Sequence, residues 1–395
     1  MNAYFNILIP VKDRAWTLKS TLETVLSQDY PHFRVIISDN CSQDHLHQIL
    51  AQFSDSRLHY VSTPRPLGMS DNFEFALEHV DGDWVAYLGA DDGLLPGCLT
   101  RVAELIAKTD CEAVTGAPAT YLWPNLTPSS RPRLTIPLGT GHEVRELAPM
   151  RDKLVSGRLA YPHYPYLYTG GFVATRAIQK GRGKNGRFFQ SIIPALYSAL
   201  VLSWKLDRYV YSRRPLTLAG ISSSSTGAAY FGLTNKSEVA RALVEDSSVR
   251  FNPRLGPDLP HNLPLLLLDS YLWAEQQVPG MPSVQFERQL ACSIASEVTL
   301  LKLKGQQRLV QCLRRLLKDP GTRPGVFAAA LPKALWDFGW ARAASLKRHQ
   351  STRSWDGAAG ACTIAEACWV AQGILAHGES SSLFSAPLLQ RTVRS

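Results

Sequence analysis

The stretch WVAYLGADDGLLP, residues 84–96, decides how this sequence is read. An apolar run suited to a buried strand ends in two adjacent aspartates, Asp91 and Asp92, and a glycine and a second apolar patch follow. Neighbouring carboxylates repel, so something offsets the repulsion. Water does so in a surface turn, and a cation or ligand does so in a site. The short acidic motif alone allows both, and the surrounding sequence has to decide.

Outward from it, residues 1–117 read as alternating strands and helices. FNILIPV (5–11), FRVIISD (33–39), RLHYVS (57–62), WVAYLG (84–89) and CEAVTGA (111–117) are apolar runs of strand length. Between the first two, Leu18, Leu22, Val25 and Leu26 recur at helical spacing. Ser42 and Ser70 are candidate N-caps for the next two helices, and a further helix is expected near 96–108. Apolar strands alternating with amphipathic helices predict a mostly parallel sheet covered by helices on both faces, a Rossmann-like α/β class.

In such sheets ligands bind beyond the carboxyl ends of the strands, where the winding reverses. Asp39 ends the second strand, Asp91 and Asp92 end the fourth, and Asp13 and Asn40 fall in equivalent loops. This convergence favours a site over a solvated turn.

Residues 118–160, rich in Pro, Thr and Arg, read as an irregular excursion. The segment RYVYSRRPLTLAGISSSSTGAAY carries a strand, then a Ser/Gly-rich loop that could offer N–H groups and hydroxyls to an anion or serve as a linker. From about residue 235 the pattern turns helical, giving expected divisions at 1–117, 118–234 and 235–395. Between Lys302 and Arg353 stand twelve Lys or Arg against two acids, Asp319 and Asp337, which accounts for the chain's whole net charge of +9. That basic segment also holds Phe327, Trp336, Phe338 and Trp340, the composition of a helix lying on an anionic membrane surface.

The seven cysteines are scattered and form no Cys-x-x-Cys pair, which speaks against a disulfide framework or zinc site and for a cytoplasmic protein. No secretory signal and no membrane-spanning run are apparent, so the protein is expected to be cytoplasmic or peripheral on the cytoplasmic face of the inner membrane.

ILIPVKDRAWTLKSTLETVLSQDYPHFRVIISDNCSQD, followed by RPLGMSDNFEFALEHVDGDWVAYLGADDGLLPGCL, resembles the N-terminal half of family 2 inverting glycosyltransferases of the GT-A fold. PALYSA and RPLTLAGISSSSTGA resemble the acceptor half of a bacterial subgroup that makes cell-surface polysaccharide. The resemblance implies a UDP-sugar donor, a glycan or polyprenyl-linked acceptor, and Mn²⁺ or Mg²⁺. It implies that Pro10 and Asp13 line the nucleotide pocket, with Asn40 in the neighbouring loop. Asp39 would accept from the uracil N3–H, Gly68 and Asn72 would lie near base and ribose, and Asp91 would hold the metal. Hard divalent cations suit one or two carboxylates plus diphosphate oxygens.

Two positions depart from the pattern. Gly89 stands where D-x-D would put an aspartate, and Ala195 stands where the subgroup carries an acid. An inverting transferase needs a general base. His163 and Asp92 are the substitutes the sequence offers, and the alternatives are a form that binds donor without turnover or a basic nucleic-acid- or membrane-binding protein without catalysis. A nicotinamide enzyme is disfavoured because PVKDRAW lacks the glycines of a phosphate-cradling turn. A nucleotidyltransferase is disfavoured because its Gly-rich basic signature is absent. No nucleic acid is expected, since no binding motif accompanies the charge.

Overall fold

The computed structural model describes residues 3–124, 126, 130–155, 161–225, 248, 251–255, 263–300, 321–348 and 352–377, with 297–300, 338–348, 358–359 and 377 described by backbone alone. The strands are β1 Phe5–Val11, β2 Phe33–Asp39, β3 Leu58–Ser62, β4 Trp84–Tyr87, β5 Gly93–Leu94, β6 Ala113–Gly116, β7 Ala119–Leu122, β8 Arg133–Pro137, β9 His142–Glu146, β10 Gly171–Ala174, β11 Arg208–Ser212, β12 Thr217–Ile221 and β13 Thr352–Asp356. The helices are α1 Ala15–Leu26, α2 Leu46–Leu50, α3 Met69–Leu77, α4 Cys98–Thr109, α5 Arg151–Val155, α6 Thr175–Lys180, α7 Pro194–Lys205, α8 Leu263–Gln277, α9 Phe286–Leu300, α10 Pro324–Arg348 and α11 Ile364–His377.

An eight-stranded sheet runs β3-β2-β1-β4-β10-β6-β11-β9. Strands β3, β2, β1 and β4 are parallel, β10 is antiparallel to both its neighbours, and β11 is parallel to β6. The unbroken apolar run of β1 follows from burial on both faces: Phe5, Ile7, Leu8 and Ile9 are all fully enclosed. A second sheet, β13-β8-β7-β12-β5, stands beside the first. Its strand β5 follows directly on Asp91 and Asp92, so the acidic turn lies at the seam between the sheets.

The sequence expectation for 118–160 is corrected here, because β7, β8 and β9 all fall inside it. Their short polar alternation carries little periodic signal, and pairing with distant partners makes them strands. The mainly helical region after 235 also returns one strand to the rest of the fold. Strand β13 pairs antiparallel with β8, setting Thr352 opposite Pro137 and Asp356 opposite Arg133. Helix α11 then packs Ile364, Ala367 and Cys368 into one core with Tyr121, Leu134 and Leu218. The described residues after 235 are mainly helical, with β13 the one strand among them. Helices α8, α9 and α10 share their own core through Leu268, Leu290, Ile294 and Phe327.

Two expected caps also differ. Gly68, not Ser70, precedes α3, and Ser70 Oγ reaches the Ser191 carbonyl instead. His45, not Ser42, precedes α2, and Ser42 is drawn into the loop of Asp13. The side chains of Phe338 and Trp340 lie outside the described residues. Among the described residues no helix is long and apolar enough to cross a membrane.

Candidate active site

The strand ends bring the expected nucleotide residues together. Asp39 ends β2 buried, with Oδ1 accepting from Ser42 N–H at 2.9 Å and Oδ2 from the Tyr60 hydroxyl at 2.8 Å. Each carboxylate oxygen has two lone pairs, so each keeps room for a further donor. Asp13 adopts φ 53°, a left-handed geometry that short polar side chains tolerate, and its Oδ1 accepts from Gln43 N–H at 2.6 Å. The loops after β1 and β2 are thereby tied together. Asn40 grips the Leu67 backbone, donating from Nδ2 to its carbonyl and accepting at Oδ1 from its N–H, both at 2.7 Å. It sets the loop that leads to Gly68. Asn72, on α3, accepts at Oδ1 from the Ser38 hydroxyl at 2.7 Å, and Pro10 lies beside Ser38 in the β1–β2 pairing.

The acidic pair is almost wholly enclosed, with Asp91 4% and Asp92 3% exposed. Asp92 joins three segments. Its Oδ2 accepts from Gly89 N–H at 2.8 Å and from the Thr169 hydroxyl, and its Oδ1 accepts from Gly220 N–H at 2.7 Å. Burial first, and the Asp91 charge second, push its carboxyl up to about 7. Two glycines are required by this closeness. A Cβ on Gly89 would stand 2.6 Å from Asp92 Oδ2 and 2.7 Å from Tyr168 Oη, and one on Gly220 would collide with the Asp91 carbonyl. The missing aspartate at position 89 thus has a steric reason, because Asp92 and Tyr168 fill its place.

Asp91 is met differently. Its Oδ2 takes the hydroxyls of Ser222 and Ser225, each at 2.6 Å, and Arg14 Nη1 at 3.4 Å. Arg14 Nη2 donates in turn to the Ser224 carbonyl. The serine run is accordingly a docked loop whose hydroxyls serve an anion, here the carboxylate itself. From behind, Trp123 Nε1 donates to the Asp91 carbonyl at 3.1 Å and its ring meets Trp16 edge-on, with centroids 5.3 Å apart.

His163 stacks on Tyr211 with centroids 5.6 Å apart, and its carbonyl accepts from the Tyr209 hydroxyl. Ala195 is half-buried in the first turn of α7, directly after Pro194. Arg14, Tyr168, Thr169 and Trp123 were not singled out from the sequence. Arg14 alone left a trace, as a cation in the first strand–helix loop. The others reach the site through strand pairings that no local pattern reveals.

Residues 6–157 match the family described as glycosyl transferase family 2. Residues 6–157 are a family 2 glycosyltransferase domain. This domain is 31% identical over 108 residues to the putative teichuronic acid biosynthesis glycosyltransferase TuaG of Bacillus subtilis (strain 168), covering 27% of this chain and 43% of that one. It is 23% identical over 111 residues to the UDP-Glc:alpha-D-GlcNAc-diphosphoundecaprenol beta-1,3-glucosyltransferase WfgD of Escherichia coli, covering 28% and 44%. The chain spans less than half the length of these curated relatives. A crystal structure of S. aureus TarS 1–349 in complex with UDP-GlcNAc is similar over 80% of this chain and 81% of that one, with a TM-score of 0.49 and 12% identity.

Proposed function

We propose that this glycosyltransferase domain moves a sugar from a UDP-sugar to a glycan or polyprenyl-linked glycan acceptor with inversion, in surface polysaccharide synthesis. The observation that carries the reading is the gathering of Asp13, Asp39, Asn72 and Asp91 at one edge of the parallel strands β1, β2 and β4. Asp39 recognises the base by accepting from uracil N3–H, while the Asn40–Leu67 clamp holds the loop over base and ribose.

The donor set at Asp91 suits a hard divalent cation. Oδ2 is taken by three donors, two of them serine hydroxyls, while among the described residues none donates to Oδ1. Among the described residues no group of three or more His, Cys, Asp or Glu could form a metal cage. In this reading Asp91 is the carboxylate ligand, and Mg²⁺ or Mn²⁺ would complete its shell with diphosphate oxygens and water. A bound cation would offset the charge gathering on the leaving diphosphate.

Arg14 and the serine hydroxyls are placed to turn from the carboxylate to the diphosphate when donor enters. In this reading the acceptor proton goes to Asp92 in preference to His163, because Asp92 stands beside Asp91 and its Oδ1 carries one donor only. Burial raises this carboxyl above the ordinary range, which favours its taking up a proton at neutral pH. The experiment is a panel of UDP-, GDP- and dTDP-sugars with Mn²⁺, followed by calorimetry for binding and by donor hydrolysis. Tight binding confined to UDP-sugars is expected, and equal binding of all three nucleotides would refute it.

The basic stretch from Lys302 to Arg353 supports docking on anionic membrane surface. Its first half lies outside the described residues. On α10 Trp336 is exposed, with Lys333 exposed beside it.

A further inference from the structure

Tyr168 brings a hydroxyl to the acidic turn that the fold itself does not use. The chain is pinned on either side of it. Leu167 N–H donates to Ser198 Oγ at 2.9 Å, and the Thr169 hydroxyl donates to Asp92 Oδ2. The Tyr168 carbonyl accepts from Gly171 N–H at 2.8 Å. Its ring leans on Phe73, with centroids 6.1 Å apart, and Phe73 stacks flat on Tyr87 at 4.6 Å. Backbone and ring together therefore fix the phenol without help from its oxygen.

That oxygen lies beside the acid pair. A Cβ on Gly89 would stand 2.6 Å from Asp92 Oδ2 and 2.7 Å from Tyr168 Oη, so the two oxygens flank one small space. Tyr168 is half-buried, yet its Oη makes no hydrogen bond with any described residue. Polar groups taken out of water are nearly always paired, so this one calls for a partner from outside. The charges that reach the phenol are those of Asp92, Asp91 and Arg14. Burial first, then Asp92 and Asp91, push it well above its ordinary range, against the smaller opposing pull of Arg14. It keeps its proton at neutral pH and is available as a donor. A neutral O–H beside a carboxylate suits an anionic oxygen that arrives with its own cation.

We propose that Tyr168 is a substrate-binding residue whose hydroxyl donates to a diphosphate oxygen of the nucleotide. This role rests on the UDP-sugar reading above for the identity of its ligand. With a cation on Asp91 and Arg14 turned to the diphosphate, Tyr168 adds a hydrogen bond without adding charge. The bond strengthens as negative charge gathers on the leaving group, and the oxygen has no partner in the fold to give up first. Where a carboxylate at position 89 would hold a cation, this chain holds a donor to the anion.

Tyr168→Phe removes the oxygen and nothing else. Calorimetry on the full chain, with Mg²⁺ and UDP, uridine or inorganic pyrophosphate, reads the effect. UDP and pyrophosphate should each bind the variant about tenfold more weakly, the worth of one hydrogen bond to a charged oxygen, while uridine is held as before. The melting temperature of the unliganded protein should not fall, because Oη has no internal bond to lose. Unchanged affinity for UDP and pyrophosphate overturns the assignment, and so does an equal loss for uridine. Should the parent bind GDP as well as UDP while Tyr168→Phe still loses pyrophosphate, the uracil reading falls and Tyr168 keeps its role. A parent that binds neither UDP nor pyrophosphate overturns both.

Discussion

Arg14 and Asp91 face each other across the seam of the two sheets, with Nη1 of the first 3.4 Å from Oδ2 of the second. The guanidinium holds the position that a divalent cation would have to share. Arg14→Gln should therefore tighten Mn²⁺ binding to the nucleotide-free protein roughly two- to fivefold, the worth of one partly exposed ion pair. The same change should weaken UDP binding once metal is present, because a donor to the diphosphate is gone. Mn²⁺ titration by electron paramagnetic resonance reads the first effect, and an unaltered metal affinity would contradict the competition.

Asp91→Ala should abolish metal-dependent UDP binding, and adding a carboxylate at position 89 should not restore it. Gly89→Asp forces a side chain into the space of Asp92 Oδ2 and Tyr168 Oη. Such overpacking costs about 1–3 kcal/mol. A lowered melting temperature with no gain in Mn²⁺ affinity is expected. Improved metal binding would show that the D-x-D geometry is open after all.

Asp39 holds the turn to Ser42 and Tyr60 and, in the proposed reading, also meets the base, so its two roles have to be separated. Asp39→Asn keeps an acceptor for the turn but offers the base an amide in place of a charge. Calorimetry should show UDP weakened by about 1.5–3 kcal/mol, and preference over CDP reduced about tenfold or more. Intact discrimination between the two nucleotides would leave Asp39 with the turn alone.

Ala195→Asp places a carboxylate in the first turn of α7, where the helix dipole favours negative charge, so the fold should tolerate it within about 1 kcal/mol. With Asp92 as the base, transfer and UDP affinity should both stay within a few-fold of the parent's, and a rise of about 10²–10⁴-fold would show that the base had been missing. Asp92→Asn is the companion variant, expected to lose transfer while retaining UDP. Retention of full turnover by it would move the base to another residue.

Asp269 is fully buried, accepts from Asn252 N–H at 2.7 Å and the Ser191 hydroxyl at 3.0 Å, and is pushed up to about 7 by burial. Between an ordinary carboxyl value near ~4 and about 7, the folded chain keeps this proton and the unfolded chain releases it. Stability conferred by the protonated form is complete below the lower value and declines as pH rises through the window. The melting temperature should fall over that range, and Asp269→Asn should flatten the slope.

The first half of the fold was legible because β1, β2 and β4 are continuous apolar runs that burial on both faces demands. The placement of Asp39 and Asp91 was legible because each directly follows an apolar strand run. Thr169, Tyr168 and Trp123 were not, since each reaches the pair from a segment whose position is fixed by sheet pairing across a long loop. The serines were half legible: their hydroxyl chemistry was plain, and their partner was not. Ser42 and Ser70 show the opposite failure, where good capping residues were recruited by tertiary hydrogen bonds.

The pairing of β13 with β8 has a consequence for biosynthesis. The small sheet carries β5 and β12, whose neighbours Asp91, Asp92 and Ser222 make the acidic seam, and its outer strand is among the last parts of the described chain to leave the ribosome. The nascent protein must hold β8 and the core face later covered by α11 without their partners until translation has passed residue 377. A nonsense or frameshift lesion far downstream of Asp91 would then strike the acidic seam as directly as a change beside it.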